Sequence, residues 1–201
     1  MPKRIYTVGN MVEIPDEKLV SRHEEDNVIS FMGKMDTEPN VIAVNYFAHE
    51  IFPKLKGNFP NLKFKIVGSH PERIISLSDI QDIVVTGFVD SLEPYYQSST
   101  IVVAPMLTGA GIQNKIIQAM SYGCCVATTT IGAEGLTINN NEIAIIDDTD
   151  KWIETISNLL QNRDERIEMG MKAREYVRTN LSPEIISKQF WDFIKSGGIE
   201  I

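Results

Sequence analysis

Between Thr108 and Ala127 the chain reads T-G-A-G-I-Q-N-K-I-I-Q-A-M-S-Y-G-C-C-V-A. Gly109 and Gly111 lie between an apolar run, Ile101 to Ala104, and a segment of helical pattern that starts near Ile112 and ends at Gly123. Glycine lets the backbone come close to a ligand, and the first N–H groups of a helix have no partner within it. Strand, glycine loop and helix in this order make a cradle for an anion, phosphate above all. The N–H groups of Gly111, Ile112, Gln113 and Asn114 are the candidate donors. Lys115 falls in the first helical turn, where a cation opposes the helix dipole by about 0.3–1 kcal/mol unless an anion compensates. A second candidate cation, Lys34, directly follows Gly33 at the end of another apolar run.

Those residues need elements to bring them together. Val28 to Met32, Leu62 to Val67, Ile83 to Thr86, Ile101 to Ala104, Cys124 to Thr128 and Glu142 to Ile146 read as strands. Val41 to Leu55 has a helical pattern with Asn40 at its N-cap, and Leu92 to Ser98 reads as a short helix. Thr149 to Leu160, Asp164 to Arg178 and Pro183 to Lys195 read as three closing helices. Alternation of this kind predicts an α/β fold, a Rossmann-like parallel sheet with helices on both faces. In open parallel sheets ligands bind at the carboxyl ends of the strands, beside the switch in strand order. Three strands end in Gly33, Gly68 and Gly87. Gly33-Lys34, Gly68-Ser69, Gly87-Phe88 and Thr108 to Gln113 are therefore expected to line one crevice, with His70 a further candidate.

The 201 residues carry a net charge of −8, with 43% hydrophobic and 23% charged residues, an ordinary globular balance. The negative charge argues against sequence-independent nucleic-acid binding, yet a local cradle can be positive on an acidic protein. No apolar run approaches the roughly 20 residues that span a bilayer, and the first residues lack a signal-peptide core. The adjacent Cys124 and Cys125 do not form a disulfide framework, which makes a reducing cytoplasm the default. His23, His49 and His70 have no metal-ligand spacing. Met11, Met32, Met35, Met106 and Met120 read as core filling, Arg163 to Arg174 as a solvated helix face, and Trp152 and Trp191 as packing anchors.

In their order these segments resemble the C-terminal, donor-binding half of a GT-B-fold glycosyltransferase of the retaining "group 1" family. F-M-G-K-M-D-T-E-P-N resembles that family's first strand and loop, and P-N-L-K-F-K-I-V-G-S-H-P its second strand. V-T-G-F-V-D-S-L-E-P-Y-Y resembles the third, which reaches the base of the nucleotide. A-P-M-L-T-G-A-G-I-Q-N-K-I-I-Q-A-M-S-Y-G resembles the signature loop and helix, close to a bacterial subgroup tied to exopolysaccharide synthesis. Val8 to Val12 resembles the turn that closes the interdomain linker. The likeness covers about residues 5 to 180.

The resemblance implies a UDP- or GDP-linked sugar as donor substrate, with no cofactor and no bound metal. It places the donor diphosphate by Gly33, Lys34 and residues 111–115, the ribose by Gln118, and the base by Gly87, Phe88 and Val89. Asn40, His70, Gly109, Ala110 and Glu134 are further crevice candidates. Two family glutamates that read sugar and ribose correspond to Ala110 and Gln118; Gln118 can still bond a ribose hydroxyl, whereas Ala110 can bond no sugar. The second of two family cations corresponds to Asn40, which leaves Lys115 to supply the charge. Residues 1–27 would be a linker remnant and first strand, 28–180 the nucleotide-sugar-binding domain, and 181–201 a helix packing back toward an N-terminal acceptor-binding domain. That acceptor domain would be supplied by a longer chain or a partner chain, and peripheral membrane contact would come only through it. No catalytic general base is identifiable. A nucleotide-sugar-binding module without catalysis and an interaction scaffold are the competing readings.

Overall fold

A computed structural model describes residues 9–17 and 27–196. Six strands form one sheet: β1 Val28–Met32, β2 Lys63–Val67, β3 Ile83–Gly87, β4 Ile101–Ala104, β5 Val126–Thr128 and β6 Ala144–Ile145. Their order is β3-β2-β1-β4-β5-β6 and every pairing is parallel. The chain leaves β1 toward β2 on one side and later enters β4 on the other. With right-handed crossovers, that reversal places the connections of the two halves on opposite faces. The switch in order lies between β1 and β4, so the ends of those strands open into a crevice.

Strands buried on both faces read as continuous apolar runs. β1 and β4 are buried throughout, which is why their sequences show no alternation. The helices are α1 Glu38–Tyr46, α2 Phe52–Asn58, α3 Glu93–Ser98, α4 Asn114–Ser121, α5 Thr149–Gln161, α6 Arg163–Asn180 and α7 Pro183–Ser196. Phe47 anchors one layer of the core, 4.7 Å from the Phe64 ring and edge-on to Trp152 at 6.1 Å. Across the molecule α4 packs on α6, and Tyr96 of α3 stacks on Tyr122 at 5.0 Å.

Several boundaries differ from those the sequence predicts. The single helix expected over 41–55 is α1 and α2 joined by a π-helical turn, Phe47–Ile51. Pro53 stands just inside α2 and brings no N–H, so the regular ladder cannot pass through it. Asn40 is not the N-cap; Thr37 holds that place and Asn40 lies buried inside α1. The helix expected from Ile112 starts two residues later, with Gln113 as N-cap. The strands expected at 124–128 and 142–146 shorten to β5 and β6. The first strand expected within 1–27 does not occur in residues 9–17, and the rest of that segment, Val8 included, lies outside the described residues.

Arg166 and Arg174 are not on a solvated face. Arg166 is buried and donates to Leu159 O at 2.6 Å and Leu160 O at 3.1 Å, closing the end of α5. Arg174 donates to Ser121 O and to Pro15 O, the latter at 2.6 Å, and so ties α4 to the entering segment. Trp152 is fully buried, but Trp191 on α7 is 48% exposed and is no packing anchor among the described residues. Met11, 57% exposed, fills no core either, whereas Met32, Met35, Met106 and Met120 do.

Candidate functional site

The ends of β1 and β2 meet almost without side chains. Gly33 N donates to Val67 O at 2.9 Å, and Met35 N to Ser69 O at 2.9 Å. At Gly68, φ is +150° and a Cβ would stand 1.9 Å from Gly33 O, so only glycine allows the two loops to lie this close. Together with the loop after β3 and the start of α4 they enclose a cleft of about 630 Å³. Its walls include Gly33, Lys34, Asn40, Phe88, Val89, Gly109, Ala110, Ile112, Gln113, Asn114, Lys115 and Gln118. Most of the candidate residues, drawn from four separate stretches of sequence, therefore face one space. Gly87 and Gly111 adjoin it. His70 is exposed, with φ +61°, and does not line it; Glu134 is not in its lining but reaches the glycine loop, which is, at Gly111.

Lys115 is the organising charge. Its Nζ donates to Asn40 Oδ1 at 2.7 Å and to Gln113 Oε1 at 3.2 Å, stands 3.7 Å from Met106 Sδ, and lies 5.4 Å above the Phe31 ring. Asn40 is fixed in turn, its amide donating to Lys34 O at 2.7 Å. Among the described residues every partner of Lys115 is neutral. Burial holds the ammonium well below the usual lysine range, at about 8. A half-buried cation without a counter-charge, at a helix start that also favours anions, is a site of unmet positive charge. Lys34 is exposed on the opposite lip.

The helix start leaves N–H groups free to serve the cleft. Ile116 N and Ile117 N both donate back to Gln113 O, at 2.9 and 3.4 Å, so the groups before them have no intrahelical acceptor. Gly111 N is different: it donates to Glu134 Oε2 at 2.7 Å. The end of β5 and the residue after it support this arrangement through two threonines. Thr128 Oγ1 donates to Ala104 O at 2.7 Å and Thr129 Oγ1 to Met106 O at 2.6 Å, fastening the loop after β4. Gly135, at φ +81°, lets the following turn press on Ile112, whose Cγ1 a Cβ would meet at 2.8 Å.

The end of the cleft beside the loop after β3 is less polar. Phe88 is 74% exposed at its mouth, beside Val89 and Leu92. Gln118 is exposed on α4, its Oε1 3.5 Å from the buried Tyr96 hydroxyl, which burial pushes above the usual phenol range. Sequence reasoning missed Tyr96, Phe31 and Met106, because each reads as an apolar or aromatic core position. Asn10, from the entering segment, donates to Asn114 Oδ1 at 2.9 Å and so reaches the start of α4. Among the described residues no group of three His, Cys, Asp or Glu side chains is placed to hold a metal ion. Nor is any helix there long and apolar enough to cross a membrane.

Known proteins with this sequence pattern and shape are consistent with one another. An uncharacterized 44.6 kDa protein in the cps region of Klebsiella pneumoniae is 25% identical over 173 residues, covering 81% of this chain and 45% of that protein. A mutant of S. aureus TarM, solved with fondaparinux, α-GlcNAc-glycerol and UDP, superposes with a TM-score of 0.76 at 18% identity, over 94% of this chain and 39% of that one. The C-terminal domain of a group 1 glycosyl transferase, LpcC of Francisella tularensis, superposes with a TM-score of 0.63 at 14% identity, over 84% of this chain and 99% of that one. The chain thus spans less than half the length of the Klebsiella protein and of TarM, and the structural likenesses establish the GT-B fold alone. The profile of the glycosyl transferases group 1 family matches residues 26–162, so the chain belongs to the group 1 glycosyl transferases.

Proposed function

We propose that this chain binds the donor of a retaining glycosyltransferase, a UDP- or GDP-linked sugar, and serves transfer of that sugar to a glycan or polysaccharide. The observation that carries the reading is Lys115, a half-buried ammonium held by neutral groups at the start of α4. The donor diphosphate would lie on the free N–H groups of 112–114, between Lys115 and Lys34, with its ribose at Gln118 and its base beside Gly87, Phe88 and Val89. Both lysines would stabilise the charge that grows on the diphosphate as the glycosidic bond breaks. UDP in the TarM complex and the cps-region origin of the Klebsiella protein support the donor and the polysaccharide assignment.

The acceptor wall would be built by a further domain or a partner chain, toward which the exposed Phe190 and Trp191 of α7 are directed in this reading. The two buried cysteines, Cys124 and Cys125, adjacent in sequence and in no disulfide, fit a reducing compartment, the cytoplasm. A non-catalytic nucleotide-sugar-binding module is the second reading, favoured by the apolar Ala110 at the glycine loop. Titration of UDP, GDP, uridine and guanosine tests the binding site: a diphosphate should bind far more tightly than its nucleoside. Donor hydrolysis or transfer by this chain joined to its acceptor-binding part then separates the two readings, since a pure binding module gives neither.

A further inference from the structure

We infer that Glu134 recognises the sugar of the bound donor, accepting hydrogen bonds from its hydroxyl groups. The assignment rests on the nucleotide-sugar reading above and adds to it the residue that reads the sugar. Glu134 stands on the turn after β5, twenty-three positions from the glycine loop it contacts. Its Oε2 accepts Gly111 N at 2.7 Å, while Oε1 has no partner among the described residues. An ionised carboxylate accepts at both oxygens and donates nothing, so the free oxygen calls for hydrogen-bond donors. A phosphate oxygen has none to give and is repelled, whereas adjacent sugar hydroxyls supply two.

The surroundings agree with that chemistry. A Cβ built on Gly111 would meet nothing within 4 Å, so the loop flanks open space there. Gly111 lies three positions before Asn114, about 10 Å of chain at most, within reach of a ring attached to a phosphate at the start of α4. Charge is divided along the loop: the cation at Lys115 attracts the diphosphate, and the anion at Glu134 takes the uncharged hydroxyl-bearing end. Gly135 and Ile112 fix the distance, because the turn carrying Glu134 packs directly on the loop.

The test compares the parent chain with Glu134→Ala and Glu134→Gln by calorimetry, using UDP, GDP, UDP-glucose, UDP-N-acetylglucosamine and GDP-mannose. The quantity read is the affinity of each sugar nucleotide relative to its own free diphosphate. Glu134→Ala should reduce that ratio about ten- to hundredfold for the preferred sugar, as expected for lost charge-assisted hydrogen bonds. Affinity for free UDP or GDP should stay within about twofold. Glu134→Gln keeps an acceptor for Gly111 N and should lose less. Equal weakening of sugar nucleotide and free diphosphate would make Glu134 a prop for the loop and overturn the assignment. Tighter UDP binding in Glu134→Ala would make the carboxylate a competitor of phosphate and overturn it too. So would a parent chain that binds every sugar nucleotide no differently from its diphosphate. If neither UDP nor GDP binds the parent, the nucleotide reading itself falls, and the sugar assignment with it.

Discussion

Lys115 shows how one residue acquires a role from its neighbours. In the sequence it is a lysine in a helical first turn; in the structure it is boxed by Asn40, Gln113, Met106 and Phe31. Its ammonium titrates near 8 because burial strips water from the charged form. Below about pH 8 the folded protein therefore carries this desolvation penalty in full. The penalty is relieved as the pH rises toward the unfolded lysine value, where the unfolded state binds more protons, so this group makes stability rise over that window. An anion at the site works the other way, raising the lysine's proton affinity. Diphosphate affinity of the parent should therefore fall as the pH rises above about 8, with proton uptake on binding. Titration across that range, in buffers of different ionisation enthalpy, checks it; a flat profile would show that Lys115 does not meet the anion. Asn40→Asp should weaken UDP at neutral pH by placing a carboxylate 2.7 Å from the ammonium, and should lift the lysine out of the alkaline window. The resemblance had linked Asn40 and Lys115 as places of the second charge, but their direct contact across 75 positions was not legible in the sequence, and Phe31 reads as plain core.

At the scale of elements much more was legible. Strands ending in Gly33, Gly68 and Gly87 announced loops that would approach closely, and the parallel order β3-β2-β1-β4-β5-β6 brings the first two into contact. Continuous apolar runs gave away β1 and β4 because both faces are covered. Helix starts were harder. Two residues separate Ile112 from the true start of α4, because the glycine loop continues through Gln113. The break between α1 and α2 needed Pro53 to be weighed against an unbroken apolar pattern. Arg166 and Arg174 looked solvated because their partners are backbone carbonyls, which sequence periodicity cannot show. Close approach of elements also predicts where mutation costs most. A Cβ on Gly170 of α6 would lie 2.1 Å from Gly123 O, at the crossing with α4. Gly170→Ala should destabilise by about 1–3 kcal/mol, the range for overpacking. Chemical denaturation measures it, and an unchanged midpoint would mean that the α4–α6 crossing yields freely.

At the scale of the whole molecule, the described residues share one continuous core that runs from α1 and α5 through the sheet to α4 and α6. A domain of this size buries about 70% of the surface of its unfolded chain, so this chain should unfold in a single cooperative transition. A broad transition with dye binding at room temperature would contradict that. Ligand linkage gives the same molecule a readout of its site: UDP or GDP at about one hundred times its dissociation constant adds about 2.7 kcal/mol. For a chain of this length that raises the melting temperature by about 5–10 °C. If a further domain or a partner chain builds the acceptor wall, as proposed, this chain alone should bind donor and transfer nothing, and turnover by the purified chain would refute this.

The central claim is that Lys115 and the start of α4 hold a diphosphate, and calorimetry of Lys115→Ala against the parent addresses it most directly. The variant should bind the preferred diphosphate, UDP or GDP, about ten- to hundredfold more weakly, the effect of one lost charge-assisted hydrogen bond. Its affinity for the corresponding nucleoside should be unchanged. Lys34→Ala should behave alike and the double variant worse, whereas Gln118→Ala should weaken nucleoside and diphosphate equally. If Lys115→Ala binds UDP and GDP as well as the parent does, the diphosphate lies elsewhere and Lys115 is a structural lysine.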